Sequence, residues 1–347
     1  MGEFDLFEPC HSGRRAAVRV PIVVGGSHPT IYPERMLKKN YIDYVLLGEG
    51  EARFKQLIGC LEKGGQEPEF DGIGYKRHGR IKVNPATRFI EDLDALPYPA
   101  RDLVDMDGYA ALNEKNGGRK PYKKALVLAT RGCFGACKYC LTPKLWGRKI
   151  RARSVENVIA EISFIKDNYG IEDIFFVDDN IGRSREYLKE LFAKLRPLKV
   201  RWEVPLGFYP PLFDEETIRL MASAGASRFK LSIESASGRV LRDLMGRDGY
   251  IKDIRRVVGW GKKYGLRVDG SFVVGMPGET EEELARTLKF SSEVGLDSSS
   301  FQIATPLPGT DLFMELQAKG ILPKNYNFRK AFIQPFSPEV LPGYQNV

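Results

Sequence analysis

From residue 124 onward, short apolar runs alternate with stretches whose apolar residues recur at helical spacing. The runs at 124–130, 173–177, 200–205, 228–234, 267–274 and 300–305 predict buried strands. Between them, 154–168 carries Val155, Val158, Ile159, Ile162 and Ile165 on one helical face, with Ser154 placed to cap it. Further helices are predicted at 185–195, 215–224, 251–264 and 280–293. Strands alternating with helices imply parallel βα units. Six strands rather than eight imply an α/β fold built on an open, partial (βα)6 TIM-like barrel. Chemistry in such a fold sits at the C-terminal strand ends.

The pattern upstream is different. Val20-Pro-Ile-Val-Val24 predicts a strand running into Gly25-Gly26, followed by a short helix at 34–39. A second strand at 44–47 leads into Gly48-Glu49-Gly50-Glu51. Two βα units with glycine at the strand ends suit a nucleotide-like ligand on a Rossmann-type sheet, or equally a plain structural lobe. Residues 72–83 predict a hairpin turning at His78-Gly79, and 90–103, with Pro97 and Pro99, an extended connector. The expected organisation is a partial Rossmann-type lobe at 1–63, hairpin and linker at 64–123, the barrel core at 124–320, and a proline-containing tail at 321–347.

A chain of 347 residues that is 43% hydrophobic has enough material for about two cores. No apolar stretch approaches a membrane span, and the acidic start lacks the basic, then apolar, order of a secretory leader. A cytoplasmic protein is expected. The net charge of +8 is concentrated: no acid lies between Glu114 and Glu156, a window holding twelve Lys and Arg, so the rest of the chain is net acidic. A focused basic segment calls for an anionic partner nearby, unless it is only a solvated loop.

Three of the five cysteines lie inside that window, in Arg-Gly-Cys133-Phe-Gly-Ala-Cys137-Lys-Tyr139-Cys140. Neighbouring Arg and Lys are expected to favour their thiolates. Three thiols are one short of a closed zinc site, and the three histidines, His11, His28 and His78, all lie well upstream. An iron–sulfur cluster with one open iron fits the spacing better than zinc or three unconnected core cysteines. With the aromatic Tyr139 before the last cysteine, the segment resembles the radical S-adenosylmethionine (SAM) superfamily. That resemblance implies a [4Fe–4S] cluster on Cys133, Cys137 and Cys140. SAM would sit on the fourth iron and be cleaved by one electron to a 5′-deoxyadenosyl radical that abstracts hydrogen from substrate.

It also implies SAM contacts at the strand ends. Asp178 and Asp179, in Asp178-Asp179-Asn180, would meet the SAM amino group, or else cap a helix. Ser232 and Glu234 would reach the ribose or methionine, against a plain strand-edge carboxylate. Gly275, in Gly275-Met-Pro-Gly-Glu-Thr280, would form a cofactor shelf and a turn together. Gln302 would be a further contact, or simply a packed polar edge. Tyr139 joins the cofactor-binding set, and no catalytic residue is assigned.

The linker phrase and the N-terminal strands resemble the cobalamin-binding group of that superfamily, whose members include methyltransferases and tetrapyrrole cyclases. Cobalamin is therefore implied. Against it, only about 20 residues precede the first strand, and Cys10-His11-Ser12-Gly13 does not match the family's D-x-H-x-x-G phrase. Weak cobalamin retention, or none, is the expectation for this chain. Two alternatives stay open: a radical SAM enzyme without cobalamin, and a metal-stabilised nucleic-acid binder using the basic window. The expected partners are a small-molecule or natural-product substrate and a reductant such as flavodoxin or ferredoxin, with no nucleic acid.

Overall fold

The apolar runs become strands and the periodic stretches become helices. The computed structural model describes residues 20–64, 67–108, 123–247, 249–322 and 326. Cys10, His11, Lys115, Arg119, Lys120, Tyr122 and nearly all of the expected tail lie outside them. Two compact units separate: residues 1–91 with Lys144–Trp146, and residues 92–143 with 147–347. Among the described residues, no helix is long and apolar enough to cross a membrane.

In the first unit, β1 (Val23–Val24), α1 (Ser27–Ile31), α2 (Pro33–Leu37), β2 (Tyr44–Leu46) and α3 (Gly50–Glu62) precede a hairpin, β3 (Ile73–Arg77) and β4 (Arg80–Val83). Only β1 and β2 pair in parallel; β3 adds antiparallel to β2, and β4 to β3. The sheet is mixed, where a Rossmann-type lobe alone would be all-parallel. The hairpin turns at His78-Gly79 with φ of 48° and 76°, the left-handed pair that a two-residue hairpin loop requires. Read from the sequence as a zone of its own, this hairpin is hydrogen-bonded into the N-terminal sheet. Arg53 of α3 is buried and held by Asp71 at 2.6 Å and by the Glu49 carbonyl at 2.8 Å.

The second unit is built on β5 (Lys124–Val127), β8 (Asp173–Phe176), β9 (Arg201–Phe208), β10 (Ala226–Glu234), β11 (Arg267–Val274) and β12 (Ser298–Ile303), side by side in that order. All neighbours are parallel. Strands that succeed one another without a reversal wind one way, as in a barrel, and β5 and β12 are not paired with each other. Between β5 and β8 lie a small antiparallel pair, β6 (Thr130–Arg131) with β7 (Arg151–Ala152), and the short helix α4 (Thr142–Trp146).

The crossovers are α5 (Val155–Tyr169), α6 (Arg185–Leu195), α7 (Glu215–Ser223), α8 (Ile251–Lys263) and α9 (Glu281–Glu293); α10 (Asp311–Ala318) follows β12. The Ser154 cap forms, its Oγ accepting from Asn157 N at 3.1 Å. Ile162, Leu191, Ile218 and Val257 of the helices pack with Phe176, Trp202, Phe229 and Phe272 of the strands in one core. Because period-2 strands bury that face, their alternate residues fall on the opposite face, and that is where the site lies.

Candidate active site

A cavity of about 240 Å³ opens at the C-terminal ends of β8, β9 and β10, against the cysteine loop. Cys133 and Cys137 line it, facing Asp179, Asn180, Ser232 and Arg247. Gly135 lies between the two sulfurs: a Cβ there would stand 3.4 Å from Cys133 Sγ and 3.6 Å from Cys137 Sγ. Cys140 sits in the same loop, its sulfur accepting from Thr142 N at 3.4 Å. All three cysteines are free and half-buried.

Burial pushes the Cys133 and Cys140 thiols up, reinforced by the other thiols and Asp179, and opposed by Gly135 N–H and by Thr142 respectively. This corrects the expectation that the basic window holds thiolates. Lys123, Lys124, Lys138 and Arg153 of that window pair instead with Asp107, Glu203, Glu315 and Glu161. From outside the window, Arg247 reaches sulfur: its Nη1 donates to Cys137 Sγ at 3.4 Å. Iron binding to such thiols must displace their protons.

Arg247 comes from the turn after a π-helical segment, Val240–Leu244, an irregularity common at functional sites. The loop and this turn are stitched together where Lys138 N donates to the Met245 carbonyl at 2.9 Å. Arg247 Nε donates to Tyr250 Oη at 2.6 Å and Nη2 to the Ser232 carbonyl at 3.0 Å. Glu234 Oε1 lies 3.6 Å from Nη1. Burial opposes the Arg247 charge, but Tyr250, Glu234 and Cys137 around it hold it protonated. Burial also pushes Glu234 up, countered by Arg247. The buried Tyr139 hydroxyl faces Glu234 and Cys137 without a well-formed hydrogen bond.

The two aspartates after β8 part company. Asp178 is fully buried and accepts from Ala129 N at 3.1 Å, Thr130 Oγ1 at 2.6 Å and Thr130 N. It is neither on the cavity wall nor a helix cap; Ser184 caps α6. It pins the strand end that leads into the cysteine loop, and burial raises its pKa to about 6. Asp179 turns the other way, onto the cavity, and accepts from Thr142 Oγ1 at 3.2 Å. Asn180 beside it is 6% exposed, and its Oδ1 has no hydrogen-bond partner, an orphaned acceptor that calls for a donor.

The structure thus brings Cys133, Cys137, Asp179 and Ser232 to one wall, with Cys140, Tyr139 and Glu234 packed behind. Gly275 and Gln302 are not on it. Gly275 has φ of 74° and donates to Glu279 Oε2 at 2.6 Å, so its glycine serves a buried turn. Gln302 is exposed on the edge strand β12. Sequence reading missed Arg247 and Gly207. At Gly207, φ is 129° and a Cβ would stand 2.2 Å from Ser232 Oγ, so only glycine lets β9 approach β10 here. The Pro205-Leu-Gly207 phrase inside a strand was the available signal for such a bulge.

The Radical SAM superfamily model matches residues 127–291, and the B12 binding domain model residues 8–58. An uncharacterised methyltransferase of Pyrococcus horikoshii is 33% identical over 330 residues, covering 94% of this chain and 69% of the relative. A cytidylyl-2-hydroxyethylphosphonate methyltransferase of Streptomyces wedmorensis is 29% identical, covering 90% of this chain and 64% of the relative. Among solved structures, the radical S-adenosylmethionine methyltransferase TsrM from Kitasatospora setae, with cobalamin and a [4Fe-4S] cluster bound, superimposes with a TM-score of 0.72 at 18% identity. That match covers 90% of this chain and 60% of TsrM. The chain therefore spans about two thirds or less of the length of these proteins. Cysteine loop, singly wound barrel sheet and matched regions agree: the chain belongs to the radical SAM superfamily, in the group that also carries a B12-binding domain.

Proposed function

We propose that Cys133, Cys137 and Cys140 hold a [4Fe–4S] cluster with SAM beside it, and that the chain transfers a methyl group to a small-molecule substrate. The observation that carries this reading is one cavity wall with two of the thiols, a guanidinium and an orphaned acceptor. No group of three described His, Cys, Asp or Glu closes to single-ion spacing. A cluster in which each iron takes its own thiolate spreads its ligands wider than one zinc ion does.

Arg247, Asp179 and Asn180 complement an amino-acid zwitterion: the guanidinium receives its carboxylate, and the acid and amide oxygens its ammonium. Phe134 and Tyr209, 4.8 Å apart edge to face, add an aromatic corner to the cavity where a purine could stack on one ring. When bound, the cluster and SAM supply reductive cleavage of the sulfonium, with the electron drawn from a flavodoxin- or ferredoxin-like donor. The B12-binding match and the two methyltransferase relatives support methyl transfer with cobalamin as the second cofactor.

Anaerobically reconstituted protein, incubated with reductant and SAM, tests this with and without cobalamin. S-adenosylhomocysteine formed only with cobalamin supports methyl transfer. 5′-Deoxyadenosine in both arms without it supports the second reading, hydrogen abstraction independent of cobalamin. Alanine at any of the three cysteines should abolish SAM cleavage, and Cys60→Ala should leave it intact. Reconstituted protein that contains zinc and no iron sinks the proposal.

A further inference from the structure

Strand β10 alternates cleanly. Phe229, Leu231 and Ile233 enter the core beneath the helices, so Arg228, Lys230 and Ser232 share the opposite face. Ser232 lines the cavity. Arg228, at the other end of the row, pairs with Glu203 and lies 3.7 Å from Asp269. Lys230 stands between them, half-buried, and makes no hydrogen bond or ion pair with any described residue.

Its neighbours do not explain it. Lys230 is in register with Asp269 of β11, but that carboxylate is already held by Arg267 at 3.0 Å and by Ser298 at 2.8 Å. One row up, Ser232, Ser271 and Ser300 are in register across β10, β11 and β12. The Ser271 and Ser300 hydroxyls make only long contacts, 3.4 Å to the Leu231 carbonyl and 3.3 Å to the Gly270 carbonyl. Hydroxyls so weakly engaged can rotate toward a better acceptor. Its influence on the site is electrostatic: burial raises the Glu234 carboxyl, and Lys230 opposes that rise, less than Arg247 does.

We infer that Lys230, with Ser271 and Ser300, forms a subsite for an anionic group of the substrate, a carboxylate or a phosphonate. Ser271 and Ser300 stand level with Ser232, and Lys230 lies one strand row, about 6–7 Å, deeper. This deepens the reading above and rests on it for calling the ligand a substrate. A half-buried cation with no partner among the described residues, on a face where Glu203, Arg228, Arg267 and Asp269 are already paired, is the arrangement an incoming anion completes.

The full-length chain is titrated calorimetrically with ethylphosphonate and with propionate, the two arms separating the anion types, and with neutral propionamide. Each titration is run on metal-free and on reconstituted protein. At least one anion should bind one per chain and propionamide should not. Lys230→Met should weaken the anion about tenfold or more, the usual loss for a hydrogen-bonded charge, and Lys230→Arg by about threefold at most. Thermal unfolding and iron content, unchanged in both variants, establish that they fold. Equal binding by wild type and Lys230→Met, or no anion binding by wild type, overturns the inference. Because metal-free protein is titrated too, Lys230-dependent anion binding in a chain that never cleaves SAM would count against the cluster reading instead.

Discussion

The two ends of one sheet face do opposite things. At the N-terminal ends of the strands, Lys124 reaches Glu203 at 3.1 Å, Arg201 grips Asp173 through contacts of 2.8 and 2.6 Å, and Arg267 reaches Asp269 at 3.0 Å. Arg228 bridges Glu203 and Asp269. Charge is matched across five strands. At the C-terminal ends, Asn180 Oδ1 and Tyr139 Oη are buried without partners, and a buried guanidinium points at a thiol. Polar satisfaction stabilises one end; its incompleteness at the other leaves room for ligands.

The largest effect expected is a structural one placed at the chemical end. Asp178 titrates near 6 in the fold because it is buried, against about 3.8 for a free carboxyl. The folded state thus keeps a proton that the unfolded state gives up, so this group's contribution is best below about pH 4 and is lost as pH rises through about 6. The loss is on the order of 3 kcal/mol. Tyr187, pushed up by burial and secondarily by the same carboxylate, is the titratable neighbour. Urea unfolding of Asp178→Asn between pH 4 and 7 should lack that slope. An unchanged slope would mean the scaffold behind the cavity does not titrate there.

Next in size is Arg247→Met. Removing a charged donor from the cavity should weaken SAM by about tenfold to a hundredfold while iron content holds. Equilibrium binding of SAM to reconstituted protein measures it, and an unchanged affinity would break the comparison at its chemical end. The smallest effect sits at the other end. Glu203→Gln should cost about 1 kcal/mol, because Lys124 and Arg228 lose a largely buried acceptor but stay partly solvated. Urea unfolding should show that loss with SAM cleavage per folded molecule unchanged; a fall in cleavage would join the two ends energetically.

Much of this was legible along the chain, because its causes are local. Strands β8 to β12 and helices α5 to α9 follow from apolar period, and the Ser154 cap from one hydroxyl three residues before an amide. The cysteine triad is a spacing, and the hairpin at His78-Gly79 is a turn chemistry. Adjacent Asp178 and Asp179 look alike in sequence, yet one is walled in by the Ala129 and Thr130 backbone and the other faces the cavity. Only packing separates them.

Long-range placement accounts for the rest. Arg247 meets Cys137 across 110 residues of chain, through an irregular turn that no periodicity marks. The basic window looked like the cysteines' partner because the residues are neighbours in sequence, but Lys124 on β5 and Arg153 just after β7 meet acids on other elements. Sequence alone determined which elements form and which thiols stand together, since propensity, period and spacing act within a few residues. Tertiary structure alone decided which charges are matched, which acceptors are orphaned and which cation reaches sulfur. Those depend on burial and on contacts between strands and turns far apart in the chain.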